Sequence, residues 1–274
     1  CDFWMQCDFM RCLSCISAAH DKQKKKEQTM RNLKVRMAFR GTRYHGYQRQ
    51  ENANTVQAVV EQALSKLLNT PTTIAGCSRT DAGVHAEEYC FSCMTDREIP
   101  CRNFVRGMNG YLPDDISILS CEDVPESFHA RFSCVAKEYV YRIHNSESKN
   151  PFQTDLALHY RRAMQIDLMQ EAANHFIGTH DFGSFCSNCT EDKNTVRTIY
   201  KFNIEMQGDS VLILVKGDGF LYNMIRILIG TLLSVNEGAI AIKDLDAILA
   251  ARDRTLAGRT VQPHGLYLHR VYYA

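Results

Sequence analysis

The 274-residue chain contains no run of about 18 apolar residues, and its longest candidate, residues 220–235, carries Asn223 and Arg226 inside it. No membrane-spanning helix is expected. Excess charge of one sign is also missing, since Lys and Arg number 32 against 31 Asp and Glu. That balance neither requires nor excludes a nucleic-acid partner, because a basic cleft can sit on an otherwise balanced molecule. Nothing at the start has the pattern of a secretory signal: residues 1–30 place Asp2, Asp8 and Arg11 among their apolar side chains and end in a lysine run. The 12 cysteines are therefore expected to be reduced cytosolic thiols, in a cytoplasmic protein, rather than a disulfide framework.

What is present suits a water-soluble globular chain, with 45% hydrophobic and 23% charged residues. Residues 1–31 are expected to be a disordered extension, with the folded unit beginning at Met30. Three cysteine pairs have CxxC spacing: Cys12/Cys15, Cys90/Cys93 and Cys186/Cys189. None has a second pair at zinc-ribbon distance, and Cys90 and Cys93 fall in a strand pattern that points them to opposite faces, so no metal is expected.

Periodicity predicts a strand in "LKVRMAF" (33–39), a polar glycine-bearing loop "GTRYHGYQRQENAN" (41–54), and a helix capped by Thr55. Val56, Val59, Val60, Ala63, Leu64 and Leu67 form one apolar stripe along that helix. A strand entering "GCSRTDAGVHAEE" (76–88), a strand over 88–94, a helix from Pro100 to Tyr111 and a strand over 115–124 complete a β-α-β-β-α-β order. The second half offers a strand at 137–144, a helix at 167–178 and a hairpin turning at Gly208-Asp209. Helices at 220–235 and 242–253 and a strand at 265–273 follow. The predicted class is α+β: two ferredoxin-like domains, 32–133 and 134–274, with antiparallel sheets, helices packed on one side and a cleft between them. No sequence repeat relates the halves.

Three places invite chemistry. Asp81 stands in Arg79-Thr80-Asp81-Ala82-Gly83 between two strands. Asp so close to Gly suits an ordinary turn, yet a neighbouring Arg79 guanidinium would hold the carboxylate ionised, as a nucleophile requires. Arg226 is the one charge in an otherwise apolar helix. Either it meets a carboxylate, for which Asp81 is a candidate, or it reaches the surface along its apolar stem. On the strand "KEYVYRI", Lys137, Tyr139 and Tyr141 share a face that could stack a base, or could simply pack under a helix. Arg40, Arg43, Arg49, Arg131, Lys193 and Arg197 lie in loops, solvated unless they converge on one cleft as a phosphate track.

The string "RTDAGVHA" (79–86) resembles the catalytic motif of the tRNA pseudouridine synthase A family. "GTRYHGYQ", "FHARFS", "KEYVYR", "FLYNMIR" and "GLYL" follow the family's order, so the resemblance spans residues 33–273. It implies isomerisation of uridine to pseudouridine at positions 38, 39 and 40 of the tRNA anticodon arm, without cofactor or metal, by a homodimer whose tRNA touches both subunits. Asp81 then matches the nucleophile, and attack on the sugar, attack on the base and a glycal route all stay open. Tyr139 matches the tyrosine under the flipped uracil, Arg79 the arginine that takes the base's place, and Arg226 the partner of the aspartate. Substrate contacts carried over are Arg43, Tyr44 and His45 in the first loop, Phe128, His129, Ala130, Arg131 and Phe132 in the central segment, and Lys193 and Arg197. Cys77-Ser78 stand where many members have glycine, and Arg40 where an acidic residue is common. Two alternatives compete: a non-catalytic RNA-binding ferredoxin-like module, and a metal-dependent hydrolase built on Asp81, His85, His180 and Asp181.

Overall fold

In the computed structural model, which describes residues 30–189 and 194–274, the alternation at 33–39 forms strand β1, Arg31–Phe39. Leu33, Val35, Met37 and Phe39 are all buried on one side of it, as a two-residue side-chain period requires. Helix α1, Val56–Leu68, starts where Thr55 Oγ1 accepts the Ala58 N–H at 3.4 Å. Strands β2, Ala75–Gly76, and β3, His85–Thr95, flank the Asp81 turn. Helix α2, Cys101–Tyr111, begins directly after Pro100, and β4, Ile116–Val124, closes the half. Here β1 pairs antiparallel with both β3 and β4, and β2 pairs with β3. The spatial order is thus fourth, first, third, second.

The second half repeats this permutation. Strand β5, Cys134–Asn145, lies between β9, Ser210–Gly217, and β10, Leu266–Tyr273, and β9 forms a hairpin with β8, Val196–Gln207. Two short strands, β6, Leu158–Tyr160, and β7, Gly178–Asp181, pair with β5 and β8. Helices α3, Ile166–Asn174, α4, Met224–Asn236, and α5, Leu245–Ala251, belong to this half. Strand β10 also pairs in parallel with β3 through Tyr267 and Leu268. One mixed sheet therefore runs through both ferredoxin-like halves, and Cys134 is the first residue of β5.

The two faces of this sheet differ in chemistry. Met37, Tyr89, Phe91, Tyr141 and Val215 are buried toward the helices, where α1 packs on α2 and α3 on α4. The opposite face carries ion pairs: Lys34 with Glu122 at 2.8 Å, Arg36 with Glu88 at 2.9 Å, and Glu87 with both Arg142 and His269. A register shift between Met37 and Phe39 places Ala86 and Tyr89 on the helix side, so Glu87 and Glu88 both bulge to the charged side.

Several expectations change. Residues 220–223 are not helical: Asn223 adopts a left-handed conformation, φ 60°, and α4 starts at Met224. The helix expected over 167–178 stops at Asn174, and that over 242–253 narrows to α5 after one 3-10 turn. Cys186 and Cys189 form a disulfide with Cα atoms 5.7 Å apart, because the turn between them, with Asn188 at φ 57°, brings the side chains together. The expectation of reduced thiols fails for that pair. Cys12, Cys15 and residues 1–29 of the expected extension lie outside the described residues, and Arg31, placed in that extension, is instead the first residue of β1. Among the described residues, no helix is long and apolar enough to cross a membrane, and no three His, Cys, Asp or Glu are grouped to hold a metal ion.

Candidate active site

The Asp81 turn is built against the first loop. The Tyr47 N–H donates to the Thr80 carbonyl at 3.1 Å, the Gly83 N–H to the Tyr44 carbonyl at 3.2 Å, and the Val84 N–H to the Asp81 carbonyl at 3.2 Å. Two glycines make this possible. Gly83 sits at φ 78°, and Gly46, at φ 86°, comes so near that an added Cβ would lie 2.6 Å from the Thr80 oxygen. The loop "GTRYHGYQ", expected to face RNA, is thus largely a brace for the aspartate.

His85 completes the brace. It is fully buried, accepts the Gly41 N–H on Nδ1 at 3.0 Å, and lies 3.1 Å from the His264 carbonyl through Nε2. Burial holds its pKa down at about 4. A neutral ring carrying its proton on Nε2 satisfies both backbone groups, so His85 is structural.

Asp81 pairs with Arg226, Oδ2 to Nη1 at 3.5 Å, and the two side chains retain only 19% and 15% exposure. Burial pushes the Asp81 carboxyl above its ordinary range, and the Arg226 charge and hydrogen bond oppose that push. Arg226 is itself held, with Nε on the Val261 carbonyl at 2.8 Å and Nη1 on Asn223 Oδ1 at 2.8 Å. The left-handed Asn223 leaves the α4 amides uncapped and turns its amide oxygen to the guanidinium instead. The cation that steadies Asp81 is therefore Arg226, 145 residues away, and not Arg79 as the short spacing suggested. Arg79 lines the neighbouring cleft.

That cleft, about 950 Å³, receives residues from both halves. Tyr139 is 6% exposed within it, its ring edge-on to Phe220 at 5.3 Å and its hydroxyl 3.1 Å from Ser78 Oγ. Of the expected substrate contacts, His45, His129, Arg131, Phe132 and Arg197 line the cleft with Asp81, Arg79, Tyr139 and Arg226. Phe132 is 77% exposed, with the Arg131 guanidinium 5.7 Å from its ring centre.

Four expected contacts lie elsewhere. Tyr44 is buried and donates to Asp115 Oδ1 at 2.7 Å, and Arg43 pairs with the same carboxylate at 3.5 Å. Phe128 packs against Tyr273 with Lys34 beside its ring, and Ala130 is buried with its N–H on Ser92 Oγ. Lys193 lies outside the described residues. The hydrolase constellation is not assembled either: His180 bonds the Ile177 carbonyl, Asp181 pairs with Arg252 at 3.2 Å, and neither lines the cleft. Sequence reasoning missed Ser78, Phe220 and Asn223. A polar residue and two aromatics interrupting an apolar run just before a helix were the available signal for the last two.

The family model described as tRNA pseudouridine synthase matches residues 35–133 and 172–274. A tRNA pseudouridine synthase A from Ruminiclostridium cellulolyticum is 43% identical over 89% of this chain and 100% of its own length. One from Bacillus pumilus is 43% identical over 88% and 98%, and one from Clostridium acetobutylicum 41% over 89% and 100%. The matched segments hold Asp81, Tyr139's neighbours on β10, and Arg226, on both sides of the cleft. The chain belongs to the tRNA pseudouridine synthase family.

Proposed function

We propose that this chain isomerises uridine to pseudouridine in tRNA, at positions 38, 39 and 40 of the anticodon arm. The observation that carries this reading is a carboxylate, Asp81, shielded from water and paired to one fixed guanidinium where residues of both halves meet. The match to relatives named as synthases does not favour a non-catalytic RNA-binding module. The reaction breaks the N-glycosidic bond of uridine, turns the freed uracil and joins its C5 to the ribose, the C5 proton moving to N1. Nothing is oxidised, and atoms and electrons balance within the substrate.

A uridine in a stem must leave the stack to reach Asp81. In this reading the Tyr139 ring lies under the extruded uracil, Arg79 fills the vacated place, and Arg226 keeps Asp81 ionised and aimed. Arg131, Arg197 and exposed Phe132 meet the RNA backbone and an unstacked base. Two copies form a cytoplasmic homodimer that shares each tRNA, a proposal supported by the motif resemblance. Mapping pseudouridine in tRNA from cells lacking the protein, then regaining it as wild type or as Asp81→Asn, tests the function. Loss confined to the anticodon arm, restored by wild type alone, is expected; an unchanged map refutes the reading.

A further inference from the structure

Ser78 lines the cleft beside Arg79, and nothing in the proposed chemistry has yet used it. Its main chain is clamped. The Tyr89 hydroxyl donates to the Ser78 carbonyl at 2.5 Å and accepts the Ser78 N–H at 3.3 Å. Tyr89 is fully buried and stacks on Tyr47 with ring centres 4.4 Å apart, and the preceding Cys77 N–H donates to the Cys90 carbonyl at 2.9 Å. The position of Ser78 Oγ is thus set by the core of the first half.

That oxygen lies 3.1 Å from the Tyr139 hydroxyl, which belongs to the second half. The ring of Tyr139 is already held by Phe220. Rotation of the phenol O–H about its own bond remains open unless a partner fixes it. We propose that Ser78 is a positioning residue for the isomerisation: its hydroxyl donates to the Tyr139 oxygen and fixes how the phenol faces the base in the cleft. The inference rests on the functional reading above. Electrostatics agree, since burial pushes the Tyr139 phenol up and the Ser78 hydrogen bond is the leading influence against it. Ser78→Ala removes Oγ and leaves both backbone bonds to Tyr89 in place.

The test uses the full chain and an unmodified tRNA transcript, with Ser78→Ala, Ser78→Thr, Tyr139→Phe and the Ser78→Ala/Tyr139→Phe double variant. Losing one hydrogen bond should lower kcat about fivefold in Ser78→Ala with KM for tRNA unchanged. Thr, which keeps the hydroxyl, should restore kcat to within about twofold. In the Tyr139→Phe background the same substitution should change kcat by less than about twofold, because the bond is already gone. In parallel, the 13C resonance of Tyr139 Cζ, assigned by its disappearance in Tyr139→Phe, should move in Ser78→Ala. Wild-type kcat in Ser78→Ala, an equal loss in both backgrounds, or an unmoved Cζ resonance overturns the inference while leaving the functional reading intact. A wild-type chain that forms no pseudouridine overturns both.

Discussion

Replacing Arg226 by Met keeps the apolar stem packed and removes the charge together with its bonds to Asp81, Asn223 and Val261. Unit charges 3.5 Å apart attract by about 5 kcal/mol in an effective dielectric of about 20. The long contact and residual solvent access bring the expected coupling to about 2 kcal/mol, or roughly 30-fold in rate at neutral pH. Without its cation, Asp81 rises further above the ordinary carboxylate range and is more often protonated when substrate arrives. The acid limb of the pH–rate profile should therefore move to higher pH, with part of the lost activity returning as pH is raised. The stability effect has a definite sign. A carboxyl whose folded pKa is raised favours the folded state at low pH and loses that contribution as pH climbs through the folded value. Because Arg226→Met raises that value further, its stability deficit relative to wild type should widen from pH 5 to pH 7.5 in urea unfolding. An Asp81→Asn background should abolish the widening. Superimposable pH–rate profiles, with equal deficits at both pH values, would refute electrostatic coupling.

Gly46→Ala forces a Cβ to within 2.6 Å of the Thr80 oxygen at a left-handed φ, so it should lower stability by about 2 kcal/mol and turnover at least about tenfold. Thermal unfolding and single-turnover assays check it, and an unchanged enzyme would mean that the first loop does not brace Asp81. His85 is neutral in the fold, with a pKa near 4 against about 6.5 unfolded. Its contribution is complete above pH 6.5 and fades as pH falls toward 4, by about 3 kcal/mol in all; His85→Gln should be less stable at pH 7 and flatter across that window. Arg131→Ala should weaken tRNA binding and reduce the salt slope of log Kd by about 1 in filter binding, with kcat at saturating tRNA little changed.

Local pattern was enough for β1, for the Thr55-capped helix and for the hairpin at Gly208, because each is decided within a dozen residues. It was also enough to say that Arg226 needs a partner or an exit. Which of these it takes depends on a contact 145 residues distant. Tyr44 and His45 show the same limit in miniature: adjacent side chains in one polar loop, one is buried on Asp115 and the other lines the cleft. The Asp81 turn decides between them by binding the Tyr44 carbonyl. Residues 220–223 carry no helix breaker, so their departure from the helix was invisible until Asn223 was seen to answer to Arg226 rather than to its own amides. Likewise, the doubled outward turn of Glu87 and Glu88 belongs to a bulge that strand alternation alone misassigns.

Strand β10 is the last element of the chain and lies in the middle of the sheet, between β3 and β5. During synthesis, the first half can emerge and fold while β3 still lacks this neighbour, and β5, which also pairs with β9 and β6, waits for it equally. Until β10 is in place, the stretches of β3 and β5 that it pairs with keep amides and carbonyls unpaired, the condition under which sheets join the wrong chain. Completion of the cleft, too, is deferred to that moment, since Leu266 on β10 lines it. A chain whose β10 is not yet seated thus has an unfinished cleft, and the two halves of its sheet lack the strand that joins β3 to β5.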